Sequence, residues 1–136
     1  MLDGRVKAVK HILCIVGTRP EGIKMAPLIR ALKREPWAKV TVLSTAQHRD
    51  LLDQVLVLFD IKPDVDLDIM RENQQLPELT ARLITALDAK FADLSPDIVL
   101  AQGDTTTVMT AALVAFYRLI PFGHVEAGLR THDLDN

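Results

Sequence analysis

Short apolar segments alternate with longer segments of helical period along this chain, and this alternation constrains the fold more than any other feature. The short segments are rich in β-branched residues and lie at residues 11–16, 40–43, 97–101 and 121–125. They are apolar without a two-residue alternation, which is typical of strands that are covered on both faces. A possible short strand lies near residues 65–69.

The intervening segments have apolar residues spaced by three and four, which predicts helices. These helices cover residues 21–35, a stretch from near residue 47, residues 76–94 and a stretch from residue 104. In the third of them, Pro77 and Glu78 suit the first turn, and Ser95-Pro96 ends the helix. Strands that alternate with helices predict a doubly wound α/β fold, in which a parallel sheet with right-handed crossovers is covered by helices on both faces.

Composition and charge exclude several classes of protein. The chain has 136 residues, which is the length of one domain, and 49% of them are hydrophobic. A net charge of −2 gives a nucleic-acid partner no electrostatic support. The single cysteine, Cys14, excludes a disulfide framework and is expected in the core. No apolar run approaches the ~18 residues of a membrane span, so no membrane partner is expected.

The two ends of the chain carry polar segments. The N-terminal residues MLDGRVKAVKH are charged and unlike a secretion signal, which favours a cytoplasmic location. The last predicted strand is followed by EAGLRTHDLDN, with no helix to cover it. We therefore expect residues 1–136 to be a single α/β domain at the front of a longer protein.

Ligands of open parallel sheets bind at the carboxyl ends of the strands, and the segment after the first strand is one candidate. Gly17 allows a tight turn there, and the start of the next helix is expected to offer free N–H groups to an anion. Arg19 and Lys24 are placed to reach that anion. The segment is neither a dinucleotide fingerprint nor a Walker A loop, so neither NAD nor ATP is implied. The alternative is an ordinary turn with solvated charges.

Two further candidates follow later strands. Asp104 precedes a helix, and an Asp before Thr is the arrangement of an N-cap, so capping is expected as well as a place at the ligand edge. His124 and Glu126 are two apart on an extended segment and share a face. A metal site that adds His132 is a weak alternative, and no metal is predicted. Acids beside bases suit a phosphorylated substrate that undergoes acid–base chemistry.

Taken in order, the blocks along the chain resemble the N-terminal part of the non-hydrolysing UDP-N-acetylglucosamine 2-epimerases. The resemblance rests on GTRPEGIKMAPL, TAQHRDLLDQVLVLFDI, DLDIM, PDIVLAQGDTTT and PFGHVEAGLRT. It implies two Rossmann-like domains in the GT-B arrangement, with the active site between them. The chain then supplies most of the first domain, and by itself it is expected to be inactive.

The resemblance also implies a reaction and roles for four residues. The family interconverts UDP-N-acetylglucosamine and UDP-N-acetylmannosamine without a cofactor, through loss and re-addition of UDP and of the proton on carbon 2. Arg19 and Lys24 fall at positions that bind the diphosphate, and Asp104 and Glu126 at catalytic positions. Relatives are homodimers, so the full-length protein is expected to be one.

Some positions differ from the family pattern, and other functions remain open. The family usually has Ala at Gly22 and His at Gln102. Gln47 matches a residue that helps some bacterial members bind a second UDP-N-acetylglucosamine as an activator, whereas Asp50 and Asn73 replace the Gln and Arg of that site. The alternatives are a GT-B glycosyltransferase, a hydrolysing epimerase, or a non-catalytic flavodoxin-like binding module.

Overall fold

Strands and helices alternate along the chain in the computed structural model, which describes residues 8–45 and 49–126. In chain order the elements are β1 (Lys10–Val16), α1 (Arg19–Lys33), β2 (Ala38–Ser44), α2 (Arg49–Leu58), β3 (Val65–Asp66), α3 (Leu76–Leu94), β4 (Ile98–Gln102), α4 (Thr106–Tyr117) and β5 (Phe122–Val125). The predicted alternation is confirmed, with boundaries that differ by a few residues.

The strands form a parallel sheet in the order β3-β2-β1-β4-β5. The chain moves outward from β1 through β2 to β3, and then returns to the other side of β1 with β4 and β5. This confirms the doubly wound, Rossmann-like α/β fold. The direction reverses between β1 and β4, and such a switch point opens a crevice at the carboxyl ends of the two strands.

Each face of the sheet has its own core. Cys14 and Val16 of β1 pack on one face with Met25 of α1 and Leu52 of α2. On the other face Leu13 and Ile15 of β1 pack with α3 and α4. Successive strand residues therefore enter opposite cores, which explains why the strand sequences do not alternate between apolar and polar.

Cys14 is a core residue, as expected. Its side chain is fully buried. Burial disfavours the thiolate and raises the pKa of the Cys14 thiol to about 12. The thiol is therefore un-ionised at neutral pH, and it has no nucleophilic character there.

Gly22 is explained by the packing of α1 on α2. A Cβ on Gly22 would lie 2.9 Å from Cδ1 of Leu52. The alanine that the family resemblance implies at this position would require this flexible methyl group to move. The departure from the family pattern therefore concerns helix packing and leaves the ligand edge unchanged.

Helix α4 is apolar on its outer side as well as on its inner side. None of its residues, TTVMTAALVAFY, is charged. Met109, Phe116 and Tyr117 are 55%, 71% and 65% exposed, and Leu119 after the helix is 88% exposed.

Among the described residues, no helix combines the length and the apolar character needed to cross a membrane.

Candidate functional site

Buried polar side chains gather at the carboxyl edge of the sheet. They are Thr18, Glu21, Ser44, Thr45, Gln102 and Thr107. All of them lie at or just beyond the ends of β1, β2 and β4, and they surround the switch point. Burying polar groups is unfavourable unless they are hydrogen-bonded, and internal hydrogen bonds of Glu21, Thr45 and Thr107 offset that cost here. Such an edge is where a ligand of this fold is expected to bind.

Gly17 allows three segments to meet at the centre of this edge. A Cβ on Gly17 would lie 2.6 Å from Oγ1 of Thr45 and 2.7 Å from Oγ1 of Thr107. These two hydroxyl groups are themselves 3.1 Å apart and hydrogen-bonded. Glycine is therefore required here because of close approach to neighbouring side chains.

Glu21 organises the turn between β1 and α1, a role that was not predicted from the sequence. Its Oε1 accepts hydrogen bonds from the amides of Gly17 (2.8 Å) and Thr18 (3.3 Å). Its Oε2 accepts a hydrogen bond from the hydroxyl of Thr105 at 2.7 Å. The amides of Gly17 and Thr18, which precede α1, are therefore bound internally, and the expectation of free N–H groups applies only to the helix start itself. The spacing Thr18-x-x-Glu21 is that of a capping box, and it is the sequence signal that could have found this carboxylate.

Asp104 is exposed at the tip of the turn between β4 and α4, and it does not cap the helix. The N-cap residue of α4 is Thr105. The predicted capping role of Asp104 is therefore wrong, because the glycine before it has φ +98° and places the helix start one residue later. Within the described ranges, no hydrogen bond or ion pair holds the carboxylate of Asp104. It is free to act on a ligand.

His124 and Glu126 share a face of the chain at the end of β5, as predicted. Nε2 of His124 lies 3.7 Å from Oε2 of Glu126. The same Nε2 lies 2.7 Å from the carbonyl oxygen of Gly103. A carbonyl only accepts, so Nε2 of His124 carries a proton and donates it. Within residues 8–45 and 49–126 no three His, Cys, Asp or Glu side chains form a possible metal site, and His132 lies outside those ranges.

Two adjacent pockets lie over the switch point. One, of about 430 Å³, is lined by Thr18, Arg19, Pro20, Leu51 and Thr105. The other, of about 390 Å³, is lined by Gly103, Asp104, Thr105, Val108, Met109, Ala112, Phe122 and His124. Thr105 lines both pockets. The structure thus brings Arg19 and Asp104 to neighbouring surfaces of one crevice.

The other candidate site residues predicted from the sequence lie outside the linings of these two pockets or outside the described residues. Lys24 is exposed one turn further along α1, and Glu126 is exposed after β5. Neither residue lines the two pockets. Gln47, the candidate regulatory residue, lies outside the described residues.

Comparison with known proteins gives a consistent result. The family model described as UDP-N-acetylglucosamine 2-epimerase matches residues 30–136. The chain is 56% identical to the UDP-N-acetylglucosamine 2-epimerase of Salmonella typhimurium over 123 residues, which is 90% of this chain and 33% of the relative. The chain spans about a third of the length of the curated relatives it matches.

Solved structures agree with the sequence relatives. A crystal structure of a UDP-N-acetylglucosamine 2-epimerase matches with a TM-score of 0.85 and 53% identity, over 93% of this chain and 35% of the other. The Neisseria meningitidis UDP-GlcNAc 2-epimerase, solved with UDP-GlcNAc bound, matches with a TM-score of 0.83 and 53% identity over 92% of this chain and 34% of the other. By fold, by family model and by identity over most of its length, the chain belongs to the UDP-N-acetylglucosamine 2-epimerase family.

Proposed function

We propose that this chain forms one side of the active site of an enzyme that interconverts UDP-N-acetylglucosamine and UDP-N-acetylmannosamine. The observation that carries the proposal is the crevice at the switch point, where a cationic pocket with Arg19 adjoins a pocket with Asp104. Its relatives of 53–56% identity are named as epimerases, and one was solved with UDP-GlcNAc bound. These names favour epimerisation over glycosyl transfer or a binding module without catalysis.

The proposed reaction needs charges of both signs. The bond from carbon 1 to UDP breaks, carbon 1 gains positive character, and a base removes the proton of carbon 2 to leave a glycal. UDP and a proton then add back, with the proton on the opposite face of carbon 2. Cations must stabilise the departing diphosphate, and carboxylates must lie near the developing positive charge.

This chain has two cationic and two acidic side chains that suit those roles. The carboxylate of Glu21 already occupies the amides of Gly17 and Thr18, so these two amides do not bind phosphate. We expect the side chains of Arg19 and Lys24 to bind the diphosphate instead, because the family resemblance assigns them that role and Arg19 lines one of the pockets. Asp104 and Glu126 act as the acid–base groups beside the sugar ring.

A product assay tests the proposed function. A protein of the relatives' length is incubated with UDP-N-acetylglucosamine in D₂O, and the mannosamine epimer is followed by proton NMR. We expect the epimer to form, with deuterium on carbon 2 because the original proton is lost to solvent. UDP binding without any epimer would refute the proposal.

The 136 residues by themselves are expected to show no turnover in this assay. Arg19, Lys24, Asp104 and Glu126 are all exposed in this part of the protein. Each charged contact in water contributes ~1 kcal/mol or less, well short of the ~8 kcal/mol of micromolar binding. The same NMR experiment on the purified chain checks this, and measurable turnover would show that no second side of the site is needed.

The proposal extends to a homodimer in which a second copy packs on α4. An apolar helix is normally covered on all sides. The exposed side chains of Met109, Phe116, Tyr117 and Leu119 present on the order of 500 Å² of apolar surface, against the ~800 Å² that each partner of a standard interface buries. An apolar patch of this size suits the centre of an isologous interface, and the neighbouring charge of Arg118 is paired with Asp88 at 2.6 Å.

Phe116→Asp is expected to make the full-length protein monomeric. The substitution places a charge in the centre of the apolar patch, where it cannot be paired across a twofold axis. Light scattering after size-exclusion chromatography measures the mass. Val57→Asp is the matched control, because Val57 is 78% exposed on α2, on the opposite face of the sheet, and this variant should remain a dimer. A dimeric Phe116→Asp protein would exclude α4 as the interface.

We propose that the full-length protein works in the cytoplasm, without a cofactor and without a nucleic-acid partner. The net charge of −2 on this part of the protein argues against a nucleic-acid partner. Loss and return of the same UDP group requires no redox cofactor, because carbon 2 has the same oxidation state in substrate and product.

A further inference from the structure

A buried carboxylate at the switch point takes no part in the proposed chemistry. Glu21 is 2% exposed. Its Oε1 accepts the amide of Gly17 at 2.8 Å, and its Oε2 accepts the hydroxyl of Thr105 at 2.7 Å. These two partners belong to different loops. Residues 17–18 lead into Arg19 and form the Arg19 loop, and residues 103–105 contain Asp104 and form the Asp104 loop. A single side chain thus joins the two loops across the crevice.

The loop of Asp104 is held from both sides. The stem of Glu21 packs on Gly103, where an added Cβ would lie 3.6 Å from Cγ of Glu21. On the other side, Nε2 of His124 donates to the carbonyl oxygen of Gly103 at 2.7 Å. Gly103 has φ +98°, a conformation that favours glycine. The backbone immediately before Asp104 is therefore fixed, although the Asp104 side chain is exposed.

We propose that Glu21 is a positioning residue that sets the separation of the Arg19 and Asp104 loops before substrate binds. Hydrogen bonds to a carboxylate are short and strong, and separating the loops would leave a buried charge without partners. Reacting groups held in place in this way avoid the loss of rate that small displacements cause. The inference rests on the proposed function, because it concerns the mutual position of the diphosphate-binding and acid–base groups.

Thr105→Val tests the bridge with little change of shape. The valine removes the hydroxyl that Glu21 binds, while Glu21 keeps the amides of the Arg19 loop. We expect kcat for epimerisation to fall at least about tenfold and KM to stay within about threefold, because only the Asp104 loop is released. Thr105→Ser restores the hydroxyl and should recover most of the lost kcat. A Thr105→Val enzyme with unchanged kcat, or a serine variant as slow as the valine variant, would overturn the proposal.

Glu21→Asp tests the bridge from its other end. The aspartate keeps the charge and is one methylene shorter, so it cannot span both loops. We expect kcat to fall at least as far as in Thr105→Val. The double variant Glu21→Asp/Thr105→Val should then be no slower than Glu21→Asp, because both changes break the same contact. Losses that multiply would show that the two residues act independently, and that Thr105 acts on the substrate by itself.

Amide hydrogen exchange decides the inference without any activity. In the full-length protein, Thr105→Val should speed exchange in peptides that cover residues 101–108. Thr80→Val is the matched control, since its hydroxyl donates to the carbonyl of Leu76 within α3 at 2.8 Å. It should leave those peptides unchanged. Unaltered exchange in Thr105→Val would overturn the bridge, whereas an inactive wild-type protein would overturn only the proposed function.

Discussion

Asp104→Asn and Glu126→Gln are each expected to lower kcat at least about 100-fold in the full-length enzyme, the range for loss of a general acid or base. Both substitutions keep the shape of the side chain and remove its charge. Asp104 does not cap α4, and no bond within the described ranges holds its carboxylate. Its replacement by Asn should therefore cost little stability, and the loss should be one of chemistry. Initial rates of epimer formation measure kcat, and thermal melts verify the fold.

Asp93→Asn is the matched control for these variants. Asp93 is exposed near the end of α3, at the opposite edge of the sheet. This variant should keep the wild-type kcat. If Asp104→Asn or Glu126→Gln were equally active, the assigned acid–base role of that residue would be withdrawn.

Arg19→Ala is expected to weaken the binding of UDP by ~1.5–3 kcal/mol, or about 10–150-fold, the range for a hydrogen bond to a charged group. Arg19 lines a pocket beside the switch point. The amides of Gly17 and Thr18 already donate to Glu21. They therefore cannot bind the diphosphate in place of the lost Arg19 guanidinium. Titration calorimetry with UDP on the full-length enzyme measures the change.

Arg34→Ala is the control for the charge change. Arg34 is the exposed C-cap residue of α1, at the end of the helix away from the crevice. Arg34→Ala changes the net charge by the same amount as Arg19→Ala. It can affect UDP only through long-range electrostatics, which salt screens, so the UDP affinity should stay within about twofold of the wild type. Unchanged affinity in Arg19→Ala would return the segment to an ordinary turn with solvated charges.

The spacing of hydrophobic residues along the sequence was by itself enough to predict the fold. Strands buried on both faces and helices with one apolar stripe are local patterns, and each leaves its own signature in the sequence. The helix Leu76–Leu94 was predicted with its observed ends, because Pro77 and Ser95-Pro96 mark them locally. The edge of the sheet that carries Arg19 and Asp104 followed from the same reasoning, since chain order and parallel pairing determine which loops share an edge.

Contacts between distant segments required the tertiary structure. Thr105, and not Asp104, is the N-cap residue of α4, and the turn before it contacts Glu21 and His124 from distant parts of the chain. The bond between Glu21 and Thr105 joins residues 84 positions apart, and a capping-box spacing shows only the local half of it. The exposure of Phe116 likewise depends on which side of α4 the sheet covers. Sequence by itself determined the elements, their order and which loops share the carboxyl edge of the sheet, because these depend on neighbours along the chain. Only the tertiary structure decided which polar groups at that edge are bound internally and which are left for a ligand, because a hydrogen bond depends on distances that folding sets.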